Sequence, residues 1–126
     1  MPRVNFLFFL FFQLFVSFPL FDLHAETPAF QSDHTRARNI LNLARTNQSR
    51  EAAEQVDPSL ANTVRSMDPA SQRTFAYLFN EKGVRLANEQ KISDALPCLQ
   101  LAVEFHPEQK VYQKNFSQAL IGAGQE

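Results

Sequence analysis

Phe79–Pro107 reads FNEKGVRLANEQKISDALPCLQLAVEFHP, and the architecture turns on how its Pro97 is interpreted. On either side of that proline the apolar spacing is helical. Phe79, Gly83 and Leu86 fall on one face, and Ala95, Leu96, Leu99, Ala102 and Val103 form a second stripe. A proline in a helix interior costs about 3 kcal/mol. The first four N–H groups of a helix, however, have no intrahelical acceptor. A second helix starting near Ile92 or Ser93 places Pro97 at about its fourth or fifth residue, where a missing N–H loses little. Pro107 then follows the helix end, where it cannot prolong it. Gly83 inside the first helix is unfavourable by about 1 kcal/mol relative to Ala. It therefore implies close approach of another helix, with Ala95 and Ala102 as the small residues on the facing side.

Working outward from this stretch, the chain from Phe30 onward has few β-branched runs and no Asn-Gly hairpin turn, but frequent helical start and stop marks. Asp33 is placed to cap a helix whose buried stripe is Ala37, Ile40, Leu41 and Ala44. The segment TNQS interrupts it, and Ser49 is placed to cap a short turn through Val56. Asp57-Pro58 and Asp68-Pro69 repeat one device: the aspartate accepts free amide hydrogens while proline supplies a preset φ. Between them Leu60, Ala61, Val64 and Met67 make one face. The expectation is an all-α chain of short antiparallel helical hairpins.

The leading residues differ in kind. Of the 13 phenylalanines in the 126 residues, eight lie in positions 1–25. Arg3 and the α-amine precede an uncharged run from Val4 to Phe21, and Ala25 offers a small residue before a cut. That is the layout of a secretory signal peptide. An uncleaved membrane anchor is the alternative, because the run reaches the lower limit for spanning a bilayer. Gln13, Ser17 and Pro19 weigh against the anchor. Either reading exports the remainder, to the periplasm or the extracellular side, and divides the chain into 1–25, a helical cap region at 26–68 and a helical repeat region at 69–126. In the signal reading the mature terminus is Glu26.

The hairpin from Ala76 resembles the tetratricopeptide repeat, a helical hairpin of roughly 34 residues with fixed large and small packing positions. Phe79 stands at its early aromatic, Gly83 at its small residue and Leu86 at the large residue one turn later. Ala95, Leu99 and Ala102 match the small, large, small series of its second helix, and Pro107 its closing proline. One period on, Asn115, Phe116, Ser117 and Leu120 stand where the core of a next first helix is expected. Lys82 departs from the pattern where leucine is common, and Gln90 where the turn favours glycine. The resemblance covers residues 76–126, one repeat and the first helix of another; one period earlier only Ala61 is in register. It implies an α-solenoid fragment with an N-terminal helical cap, completed by the upstream helices, by a second copy at the open end, or by further sequence.

For function, the resemblance implies a groove that binds a protein or peptide segment, lined by Tyr77, Asn80, Val84, Ala87 and Asn88 and then by Val111, Lys114, Gln118 and Ile121. The reading is an exported adaptor or scaffold. The alternatives are the non-catalytic front of a longer exported enzyme and a self-associating structural protein. A formal charge of −1 gives no electrostatic reason to expect nucleic acid. No phosphate loop, nucleophile elbow or HExxH motif is present, and Asp94 and Glu104 are too far apart in sequence to form an acid pair. No cofactor is implied. The single cysteine, Cys98, lies beside a packing stripe and reads as a small hydrophobe. His24, His34 and His106 lack helical partners for a metal, and His106 is placed to meet the terminal carbonyls of its helix. Asn47 and Asn115 begin glycosylation triplets, the second of them on a helix.

Overall fold

The structure, a computed structural model, describes residues 28–124. Among them the regular elements are all helical: α1 (Pro28–Arg45), α2 (Ser49–Gln55), a 3-10 turn (Pro58–Leu60), α3 (Ala61–Arg65), α4 (Pro69–Asn88), α5 (Ile92–Phe105) and α6 (Lys110–Gly124). The packing described below belongs to the compact unit Asp33–Glu126. The signal or anchor expected at 1–25, and His24 with it, lie outside the described residues.

Both Asp-Pro pairs start helical turns by the expected mechanism. Asp57 Oδ1 accepts from the Ser59 amide at 2.8 Å, and Asp68 Oδ2 from the Ser71 amide at 3.1 Å. Two other expected caps are corrected. Asp33 lies inside α1, because the helix already runs from Pro28, and it pairs instead with Arg36 at 3.3 Å. Ser49 is the first residue of α2; Gln48 holds the cap position and makes no side-chain cap bond.

Helix ends obey the same local chemistry. Asn47 and Gln90 have φ of 66° and 67°, the left-handed conformation that closes a helix. After α1 the Gln48 amide donates to Leu43 O at 3.0 Å, and after α4 the Lys91 amide donates to Leu86 O at 2.9 Å. These bonds reach back five residues and satisfy carbonyls that the helix itself leaves free.

Pro97 is the sixth residue of α5, one or two places deeper than the sequence suggested. The helix begins at Ile92, and the Ala95 amide already bonds to Lys91 O at 3.0 Å. Pro97 is therefore beyond the free first turn, and Ser93 O loses the amide that would ordinarily bond to it. Ser93 is exposed, so water reaches that carbonyl.

The α4–α5 hairpin is antiparallel. Phe79 on α4 meets Phe105 at 6.2 Å between ring centroids, while Gly83, one turn later, faces the earlier Leu99. A Cβ on Gly83 would stand 2.6 Å from the Leu99 side chain and 3.3 Å from its backbone N. The close approach inferred from Gly83 is thus present, and Leu99 makes it. Ala95 and Ala102, the small residues flanking this contact, are fully buried.

Around the hairpin lies one main core, containing Ile40, Val56, Leu60, Val64, Phe75 and Phe79 among its buried side chains. A smaller cluster of Ala95, Leu99 and Ala119 packs with Val84, Leu86, Ala87, Leu96 and Phe116. On α6 the inward residues are Tyr112 and Ala119. Of the four core positions expected there, Ser117 and Leu120 are exposed and Asn115 and Phe116 are half-buried. The inward stripe is set by the face that meets α5, which runs through Tyr112, Phe116 and Ala119.

Candidate binding groove

Two adjoining clefts lie along α4. The first, about 420 Å³, has Ser49, Arg50 and Ala53 of α2 on one wall and Tyr77, Glu81 and Arg85 of α4 on the other. Val84 and Asn88 line both clefts and join them. The second, about 180 Å³, continues from Ala87 to Asn115, Gln118 and Ala119 of α6, with Ile92 and Leu99 also lining it.

Of the residues expected in the groove, Tyr77, Val84, Ala87, Asn88 and Gln118 line these clefts. Asn80 does not. It is only 7% exposed, and its Oδ1 accepts from Asn115 Nδ2 at 3.0 Å, so it fastens α4 to α6. Val111, Lys114 and Ile121 line neither cleft and stand exposed on α6, Ile121 at 62%.

Sequence reasoning missed Arg50, Glu81 and Arg85. Glu81 and Arg85 follow Tyr77 at helical intervals and could have been found by extending that stripe. Arg50 had no such signal, because α2 reaches α4 only through tertiary packing.

The first cleft is polar and unevenly charged. Arg85 Nη1 is 3.7 Å from Glu54 Oε2, and its Nε is 4.0 Å from Glu89 Oε2, both beyond hydrogen-bond length. Arg50 and Glu81 make no hydrogen bond or ion pair with the described residues. Tyr77 is 43% exposed, which leaves a large amphipathic ring open between these charges. The second cleft combines aliphatic walls with the amides of Asn88, Asn115 and Gln118.

The wall of the first cleft is anchored by Lys82, whose Nζ donates to Val56 O and lies 3.5 Å from Glu54 O. A cation at the carbonyl end of α2 is favourable. Cys98 is buried, and burial pushes its thiol up, partly offset by the Lys82 charge. Glu104 forms a two-pronged pair with Arg65, at 2.6 and 3.0 Å, which links α5 to α3. The hydrogen bond from Arg65 holds the Glu104 carboxyl below its usual value.

His106 caps α5 through its backbone amide, bonded to Ala102 O at 3.1 Å. Its ring, rather than meeting the terminal carbonyls, makes an edge contact with Tyr112 and stands 3.8 Å from Glu108. Among the described residues no three or more His, Cys, Asp or Glu side chains gather as metal ligands, and no helix is long and apolar enough to cross a membrane. No family model, curated protein or solved structure matches this chain.

Proposed function

We propose that the protein is an exported tetratricopeptide-like interaction module, an adaptor or scaffold that holds a segment of another protein along the groove between α2, α4 and α6. The observation that carries this reading is the pair of clefts joined through Val84 and Asn88. A chain segment seated there meets aliphatic walls and side-chain amides together, the combination that fixes an extended or helical peptide by shape and by hydrogen bonds. The helices upstream of α4 complete the groove in this reading, because α2 supplies one wall.

Photo-crosslinking from single positions in the source cells tests it. A crosslinking residue at Asn88 or Gln118 is expected to capture the same partner. The same residue at exposed Gln100 of α5, which lines neither cleft, is expected to capture none. Equal capture from all three positions would overturn the groove. Export rests on the leading sequence, and an intact mass equal to that of Glu26–Glu126 is its direct test.

A second reading draws on Leu120 and Ile121, which are 49% and 62% exposed on α6. Large aliphatic side chains left open on one helix suit association with a second copy. Sedimentation of the wild type beside Leu120→Glu and Ile121→Glu distinguishes the two readings, since loss of a dimer in both variants is expected only from self-association.

A further inference from the structure

We infer that the chain exchanges α5 and α6 with a second copy of itself, opening at Gln90 so that α4 and α5 join into one continuous helix; the inference goes beyond the groove reading and does not depend on it. The residues of this connection prefer a helix to the turn they make. Gln90 holds φ of 67°, in the left-handed region that glycine enters freely and glutamine does not. Lys91 stands at the cap position of α5 without a side-chain cap bond, and its ammonium pairs with Glu89 at 3.5 Å, at a helix start where a cation is unfavourable. Glu89, Gln90 and Lys91 are all good helix formers, and from Ala70 to Leu96 the chain has no proline and a single glycine, Gly83. Straightening the turn replaces the Lys91 bond to Leu86 O by regular helical bonds. It also gives the Ile92 and Ser93 amides, free at the start of α5, acceptors at the Asn88 and Glu89 carbonyls.

What keeps the hairpin closed is tertiary, and a second copy supplies the same contacts. Gly83 against Leu99, Phe79 against Phe105 at 6.2 Å and Asn80 bonded to Asn115 at 3.0 Å all join residues before the hinge to residues after it. The Arg65–Glu104 pair at 2.6 Å does the same. Two opened chains laid antiparallel about a two-fold axis at the hinge re-form each of these contacts between copies. The apolar surface removed from water is then unchanged, and the balance is set by the hinge and by protein concentration. Each cleft along α4 and α6 takes Ala87 from one copy and Gln118 from the other.

The test unfolds the full chain in denaturant, refolds it over a range of concentrations and separates the products by size-exclusion chromatography with light scattering. A dimer is expected whose share rises with refolding concentration and which, once isolated, persists on dilution until it is unfolded again. Gln90→Gly relieves the turn and weakens the continuous helix, so it is expected to raise the dimer dissociation constant by about tenfold or more. Leu120→Glu and Ile121→Glu, which would remove a dimer formed through the outer face of α6, are expected to leave this one in place. A wild type that is monomeric after refolding at every concentration would overturn the exchange. So would a dimer that Gln90→Gly leaves unchanged, or one that separates at once on dilution.

Discussion

At Gln90 the backbone adopts φ of 67°, a conformation that costs an L-residue about 1–2 kcal/mol and glycine nothing in steric terms. Gln90→Gly is therefore expected to raise stability by roughly 0.5–1 kcal/mol, read as a higher denaturant midpoint at unchanged slope. Asn47, at φ of 66°, already tolerates this region, so Asn47→Gly is expected to gain less. Gly83 works in the opposite direction. Alanine there gains about 1 kcal/mol in helix propensity. Its Cβ would nevertheless stand 2.6 Å from a fully packed Leu99 side chain and 3.3 Å from backbone that cannot move aside freely. Gly83→Ala is expected to destabilise by about 1–3 kcal/mol. Combined with Leu99→Ala, its cost is expected to fall below the sum of the two single changes, because the clash partner is gone. Chemical denaturation of the four proteins in that cycle measures the coupling.

At the scale of elements, α2 is too short to stand alone and is held from outside. Helices of this length are marginal in water without tertiary packing. Ala52 and Ala53 are buried in its inner face, and Lys82 of α4 reaches its last carbonyls. Lys82→Met keeps most of the stem and removes the cation, and is expected to cost about 0.3–1 kcal/mol. Hydrogen exchange at α2 amides, faster in this variant than elsewhere in the chain, is the measurement that ties the loss to α2. The second helix of the hairpin tells a different story. Pro97 lies beyond the free first turn of α5, so Pro97→Ala is expected to restore one backbone bond to Ser93 O and to stabilise by on the order of 1 kcal/mol, with thermal unfolding as the readout.

For the molecule as a whole, acid is expected to loosen the contact between α1 and the turn before α3. Burial pushes the Asp57 carboxyl up, but the hydrogen bonds from Ser59 and Arg36 together outweigh it and hold the group below its ordinary value. A carboxyl lowered on folding contributes stability above its unfolded pKa of about 3.9 and loses it as pH falls through the folded value. The denaturant midpoint is therefore expected to hold from neutral pH down to about 5 and to decline below about 4, with a shallower decline in Asp57→Asn. A profile that is the same in both proteins would remove Asp57 from the account. The 2.7 Å bond from Arg36 Nη2 to Asp57 Oδ2 is the contact at stake.

The sequence by itself determined the helical class, the starts at Asp57 and Asp68 and the pairing of Phe79–Leu86 with the stripe after Ile92. These depend on capping, on preset φ and on 3.6-residue periodicity, which act over a few residues and so are written locally. Even here the local signal failed at Asp33, which lies inside a helix already running from Pro28, and at Ser49, which is the first residue of α2 and not its cap. Only the tertiary structure decided which side chains line the two clefts. Asn80 looked like a surface contact until Asn115, 35 positions later, was found bonded to it. Lys82 looked like a misfit until the end of α2, 26 positions earlier, was found within its reach. Arg50 carried no signal at all, since its place opposite Arg85 follows from α2 packing on α4 and not from any spacing along the chain. Contacts over such separations are fixed by which faces must leave water together, and that is a property of the assembled core rather than of any one segment.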